Sequence, residues 1–400
     1  MELFNVIELD IKNKSGNLKS EAHSNVKSTK YFPTFLLNGK TYIFKPLSKT
    51  KPMTTPLFAY SEVYWSYIIN KYFNSKTPRY YLANMNGMSD EQPKYRNKGV
   101  LVESLTQENE TLINLYDYFI KHPEDLIDIK DYINYCMKNY DYTKILESNF
   151  IKSNPTIGEE LGEQILLSIL RQDQNFHYEN INFFDTEPPT IAAPIDFEFS
   201  TPFLYPDNQE EYKYTQSKYQ NSLTIPYEHT ALDLFFKQLK TEQGWSLIPT
   251  LLGNIATITK LYPKVVHSFI KKLDILIEDL PTIHLNDPDN YIDPLNSEYW
   301  NVGHARYKDN DEEKALLLEQ QFPLTEIDKE KTFKKIEQDI LSHAISLREL
   351  LKLYLISYYK DINNFEQLTL KELFEQLNIK ENESIESIDI DSKQIILKKK

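Results

Sequence analysis

Lys45, Glu62, His177, Asn180 and Asp196 are the side chains through which this sequence could do chemistry. Lys45 closes a strand-like run, TYIFKPLS, and Glu62 lies in a helix-like run, AYSEVYWSYII. His177 and Asn180 lie in RQDQNFHYENINFF, a loop after a long helical stretch, and Asp196 follows a short apolar run in IAAPIDFEFS. Phosphoryl transfer from ATP asks for these types in this order. A lysine neutralises and positions the phosphates, a helix carboxylate holds that lysine, and a carboxylate in the cleft orients the acceptor hydroxyl. Amide and carboxylate oxygens bind Mg2+, a hard cation that favours oxygen. Taken singly, Lys45 reads as a surface lysine and Glu62 as a solvated helix residue. The signal lies in the ordered set on strand, helix and loop.

The elements that must position these residues follow from apolar periodicity. Phe4–Ile11 alternates as a half-buried strand does. Lys12–Lys30 is polar. Tyr31–Leu37 and Thr41–Pro46 flank Asn38-Gly39, a strong hairpin signal. Pro56–Tyr72 has helical spacing and starts near Thr55, and Ser61 is not its cap. Arg79–Ala83 and Gly99–Leu105 read as strands with a polar loop, Asn84–Lys98, between them. Beyond Leu105 the pattern turns helical over Glu108–His122, Asp125–Asn139 and Ile157–Arg171, with breaks at Pro123 and Pro155. Brief apolar runs follow at Ile181–Phe184 and Ile191–Ile195, then a loop at Pro202–Pro226. Helices dominate from His229 to Leu377, interrupted at Asp287–Tyr299. The stretch from Asn378 reads as a terminal hairpin or a frayed tail. The expected class is α+β, with a small strand-rich lobe at residues 1–105, a large helical lobe at 106–377 and a tail at 378–400. A ligand would sit in the cleft between lobes.

Composition narrows the functional classes. The chain has 400 residues, 40% hydrophobic and 26% charged, enough for a packed core. A net charge of −14 argues against broad binding to nucleic-acid backbones. No apolar run approaches the roughly 18 residues of a membrane span, and MELFNVIELDIKNK lacks the pattern of a signal peptide. A cytoplasmic location is expected, and secretion without a cleavable leader is left open. One cysteine, Cys136, rules out an intrachain disulfide framework and a thiolate zinc cage. The histidines show no zinc-hydrolase spacing, and neither a nucleophile elbow nor a Walker loop occurs. Asp287, Asp289 and Asp293 lack the glycine and closing glutamate of a calcium loop. Trp65, Trp245, Trp300 and His343 read as packing residues. Tyrosine richness reads as codon bias.

From about Ser24 to Pro206 the sequence resembles the HipA-like kinases. SEVYWSYIINKY, NKGVLVESL and the block from Leu161 to Asp207 carry the resemblance. In that block NFHYENINFF resembles the family's D-x-H-x-x-N catalytic loop, and IAAPIDFEFSTPFLYPD its strand-aspartate segment. The resemblance implies a two-lobed protein-kinase-like fold and Ser/Thr kinase activity on a protein substrate, with ATP and Mg2+ as cofactors. It also brings in a toxin or effector role and an antitoxin-like partner. On the same basis Lys45 would bind phosphates and Glu62 would pair with it. Glu103 to Leu105 would form the adenine hinge, His177 would support the catalytic loop, and Asn180 and Asp196 would hold magnesium. The Ser24–Lys30 loop, including Ser28 and Lys30, would lie over the phosphates, although it lacks glycine. Phosphorylation there, at Ser24, Ser28 or Thr29, would repel ATP through the added charge.

The sequence departs from this family at the catalytic base, where the expected aspartate is Asn175. An amide cannot accept the acceptor's proton as a carboxylate does. Three readings stay open: Asn175 is a substitution that traps an inactive enzyme, the chain naturally lacks the base, or Asp173 serves in its place. Asp173 also reads as a loop-capping or solvated carboxylate. The alternatives to a protein kinase are a nucleotide-binding pseudokinase acting as a regulatory module, and a lipid or small-molecule kinase.

Overall fold

The computed structural model describes residues 7–10, 17–19, 31–37, 39–48, 56–73, 77–91, 95–105, 111–115, 117–118, 141–173, 180–186, 190–192, 194, 242–280, 326–363, 365–380, 383–389, 392 and 394–399. Two compact units share the chain. The first comprises Met1–His122, Asn175–Pro206 and Pro281–Glu337, and the second Pro123–Gln174, Asp207–Leu280 and Gln338–Lys400. The architecture is mixed, with a strand-rich sheet in the first unit and a mainly helical second unit.

In the first unit a sheet runs β1 (Ile7–Asp10), β5 (Tyr80–Asn86), β6 (Tyr95–Glu103), β4 (Lys40–Ser48), β3 (Tyr31–Leu37), β2 (Asn17–Lys19). Only the β1–β5 pair is parallel. The β3–β4 hairpin turns at Gly39, whose φ of 78° is a left-handed conformation that glycine adopts without a Cβ clash. One sheet face builds a core from Leu9, Phe35, Tyr42, Phe44, Tyr81, Ala83, Met85 and Leu101.

Helix α1 (Pro56–Tyr72) opens on a proline, which suits a first helical position because its missing N–H has no partner to lose there. Its residues are buried on nearly every side, Trp65 included, and it packs on β5 and β6. A second, smaller sheet joins β7 (Leu112–Asn114), β8 (Asn182–Phe184) and β9 (Thr190–Ile191).

Two expectations need correction. Asn84–Lys98 is not a loop: β5 continues to Asn86, β6 begins at Tyr95, and the one-turn α2 (Met88–Glu91) lies between. The Asn84↔Lys98 pairing satisfies the backbone there, and the Asn84 amide donates to Glu8 at 2.9 Å. Nor is Glu108–His122 one helix, because Leu112–Asn114 pairs with Asn182–Phe184. That partner lies far along the chain, where local periodicity carries no trace of it. The expected segments Asp125–Asn139, Pro202–Pro226 and Asp287–Tyr299 lie outside the described residues.

In the second unit, α3 (Thr143–Leu146), α4 (Asn149–Ser153) and α5 (Pro155–Arg171) precede α6 (Glu242–Leu261), α7 (Pro263–Asp279), α8 (Glu326–Lys360) and α9 (Leu370–Gln376). Only the part of α8 beyond Glu337 belongs to this unit. Lys272 of α7 pairs with Glu163 of α5 at 2.6 Å. Helix α5 ends in a left-handed residue, Gln172 at φ 49°, with the Asp173 N–H on the Ser168 carbonyl at 3.0 Å. His343 is fully buried and its Nε2 donates to the Ile169 carbonyl at 2.8 Å, a structural role as expected. The C-terminal segment is a hairpin of β10 (Glu383–Asp389) and β11 (Gln394–Lys399). Among the described residues no helix is long and apolar enough to cross a membrane.

Candidate functional site

Lys45 sits in β4 opposite Val100 of β6, which in turn faces Leu82 of β5. Side chains alternate along a strand, so Phe44 goes into the core on one face and Lys45 leaves on the other. There its Nζ lies 2.6 Å from Oε1 of Glu62 on α1. The Glu62 side chain is 2% exposed and that of Lys45 28%, so the carboxylate is buried and the lysine side chain is partly exposed. A buried carboxylate needs a close cation to offset its lost hydration. The pair therefore fixes the lysine head beside α1.

Gly99 explains how β4 comes so close to β6 beside the lysine. A Cβ at Gly99 would lie 2.3 Å from the Lys45 carbonyl oxygen and 2.8 Å from Cα of Pro46. Both are backbone atoms and cannot swing aside. Pro46 itself cannot donate to the ladder, and the β4–β6 register shifts between Pro46 and Ser48. Gly99→Ala is therefore expected to push β4 away at Lys45 and to destabilise the protein by about 1–3 kcal/mol. A thermal melt checks this; an unchanged midpoint would mean that the strand absorbs the methyl freely.

Further along β6, Glu103 ends the strand. Its N–H donates to Arg79 O at 2.9 Å, and the Ser104 N–H donates to Thr41 O at 2.9 Å. The Glu103 carboxylate binds Lys40 and holds that ammonium above its ordinary pKa, through the hydrogen bond first and charge attraction second. Tyr42 is pushed up by burial and then by the Glu103 charge. Leu105 follows in a partly buried bend.

Asn180 is 3% exposed and leads into β8. The β8–β9 pair is antiparallel, and the Ala192 N–H donates to Asn182 O at 2.6 Å. Asn180, two residues before Asn182, and Pro194, two after Ala192, thus flank the same end of the hairpin. A run of hydrogen bonds ties this end to the glutamate-bearing helix. Pro194 O accepts from Thr77 Oγ1 at 2.6 Å, Asn70 Nδ2 donates to Thr77 O at 3.0 Å, and Ser66 Oγ donates to Pro78 O at 2.7 Å. Ser66 and Asn70 belong to α1, as Glu62 does.

Asp173 belongs to the second unit. Its Oδ2 is 2.8 Å from Nη2 of Arg171, with the two side chains 1% and 0% exposed. The contact is a buried ion pair. Ser28, Lys30, Asn175, His177 and Asp196 lie outside the described residues.

Thr77, Ser66 and Asn70 had no sequence signal, being ordinary polar residues near a helix end. Gly99 had one. With 9 glycines in 400 residues, a glycine inside a strand pattern marks a close backbone approach.

No protein-family model matches the chain, and no curated protein matches it. Among solved structures it is similar to the Helicobacter pylori proinflammatory kinase CtkA, at 14% sequence identity and a TM-score of 0.37, over 80% of this chain and 94% of that one. The likeness is weak, and it is one of fold and not of sequence family.

Proposed function

We propose that the chain is a phosphotransferase that binds ATP with magnesium in its first unit and transfers the γ-phosphoryl group to a protein Ser/Thr hydroxyl. The observation that carries this reading is the Lys45–Glu62 pair, a partly exposed strand lysine held at 2.6 Å by a buried helix carboxylate. In this reading Lys45 holds the phosphates, and Glu62 acts through Lys45. The Asn180 amide oxygen and the Asp196 carboxylate are the hard oxygen donors that suit magnesium. When bound, the metal neutralises charge between the β- and γ-phosphates. The acceptor oxygen bonds to the γ-phosphorus as the bond to the β–γ bridging oxygen breaks. The hydroxyl proton goes to solvent or to a phosphate oxygen, because Asn175 cannot take it.

Asn175 favours a second reading, a nucleotide-binding pseudokinase that regulates a partner. Calorimetric titration of ATP separates the possibilities. Binding that needs magnesium and weakens about tenfold or more in Asp196→Ala is expected in either case. No magnesium-dependent binding by the intact chain would remove both. Turnover then distinguishes a transferase from a regulatory module.

A further inference from the structure

Two residues past Asn180 stands a buried amide that no described residue engages. Asn182 is 1% exposed, and neither Oδ1 nor Nδ2 has a hydrogen-bond partner among the described residues. Buried amides are ordinarily satisfied, since desolvating both a donor and an acceptor is costly. The groups around it are committed elsewhere. Its own carbonyl accepts from Ala192. Asn114, opposite it in the β7–β8 ladder, is engaged with Asp117: Nδ2 donates to Oδ2 at 3.0 Å and Oδ1 accepts from the Asp117 N–H at 2.7 Å. Phe183 turns to the other face of the sheet, where its ring meets Tyr118 at 5.8 Å. A leucine or isoleucine would satisfy a purely structural demand at this position, as Ile181 and Phe183 do beside it.

We propose that the Asn182 amide contacts the nucleoside part of the bound nucleotide. This rests on the nucleotide-binding reading above. The chemistry selects the nucleoside over the phosphates and the metal. Phosphate oxygens only accept, and a cation would engage Oδ1 while leaving Nδ2 unmet. A base edge or a ribose hydroxyl offers donor and acceptor together, the pairing by which an asparagine amide reads adenine. Asn182 lies on the strand that Asn180 leads into, which puts it within two residues of a proposed metal ligand.

The test compares the intact chain with Asn182→Leu by calorimetric titration of ATP, GTP and 2′-deoxy-ATP, each with magnesium, and by thermal melting without nucleotide. The expected result is an ATP affinity lowered about tenfold or more, a melting midpoint that is not lowered, and a loss of discrimination between ATP and at least one of the other nucleotides. An unchanged ATP affinity, or unchanged discrimination against both analogues, overturns the proposal and leaves Asn182 as a core amide satisfied by internal water. If Asn182→Leu does not fold, Asn182→Ala, which adds no bulk, decides by the same criteria. Failure of the intact chain to bind any nucleotide would overturn the functional reading as well. Binding by the intact chain that the variant matches overturns only this inference.

Discussion

Asn175→Asp is expected to raise phosphate transfer to a generic protein acceptor by about 10²–10⁴-fold, the usual worth of general-base assistance. The affinity for MgATP should change little, because Asn175 holds neither phosphate nor metal in this reading. Transfer of labelled phosphate from ATP measures it directly. The same sample, digested and weighed, would reveal whether phosphate also reaches Ser24, Ser28 or Thr29. A rate no higher than that of the unaltered chain would sink the assignment of Asn175 to the base position. Asp173→Asn supplies the control. The Asp173 side chain is 1% exposed and faces Arg171, an arrangement that holds the end of α5 together. Its loss should lower stability while leaving the Asn175→Asp rate gain in place. Were Asp173→Asn to abolish basal transfer in a protein that melts normally, Asp173 would be the base.

The legible parts of this fold were those set by local physics. Pro56–Tyr72 emerged with its bounds because a proline start and a dense apolar run are both written in the segment itself. The Asn38-Gly39 turn emerged because its backbone needs a residue tolerant of positive φ, and the glycine stands there at 78°. Lys45 and Glu62 could be singled out by type and order, and the family resemblance implied that they pair, but local periodicity alone does not show the contact. That depends on the Lys45↔Val100 register, which turns the lysine to the face that α1 covers. The segments misread were the ones decided by distant partners. Leu112–Asn114 looks helical until Asn182–Phe184 pairs with it, and Asn84–Asn86 looks like loop until β6 satisfies its backbone. The Asn182 amide was invisible for a related reason. Only the packed structure tells a buried asparagine from a solvated one.

Lys45→Met should remove MgATP binding and leave Glu62 as a buried charge without its ammonium, at a cost on the order of 3 kcal/mol in stability. Glu62→Gln should weaken binding less, because the lysine remains but loses the group that positions it. The decisive variant combines the two. In stability the double change should recover part of the Lys45→Met loss, since a neutral amide replaces the stranded carboxylate; a coupling of about 1–3 kcal/mol is expected for groups in contact. In binding the double variant should be no worse than Lys45→Met alone, because Glu62 has no effect once the lysine it holds is gone. Chemical denaturation and MgATP titration on the four proteins give both cycles. Binding losses that simply add would show that Glu62 touches the ligand independently. If Lys45→Met bound MgATP as well as the unaltered chain, the pair would be a purely structural ion pair, and the phosphate-binding role would have to be given up.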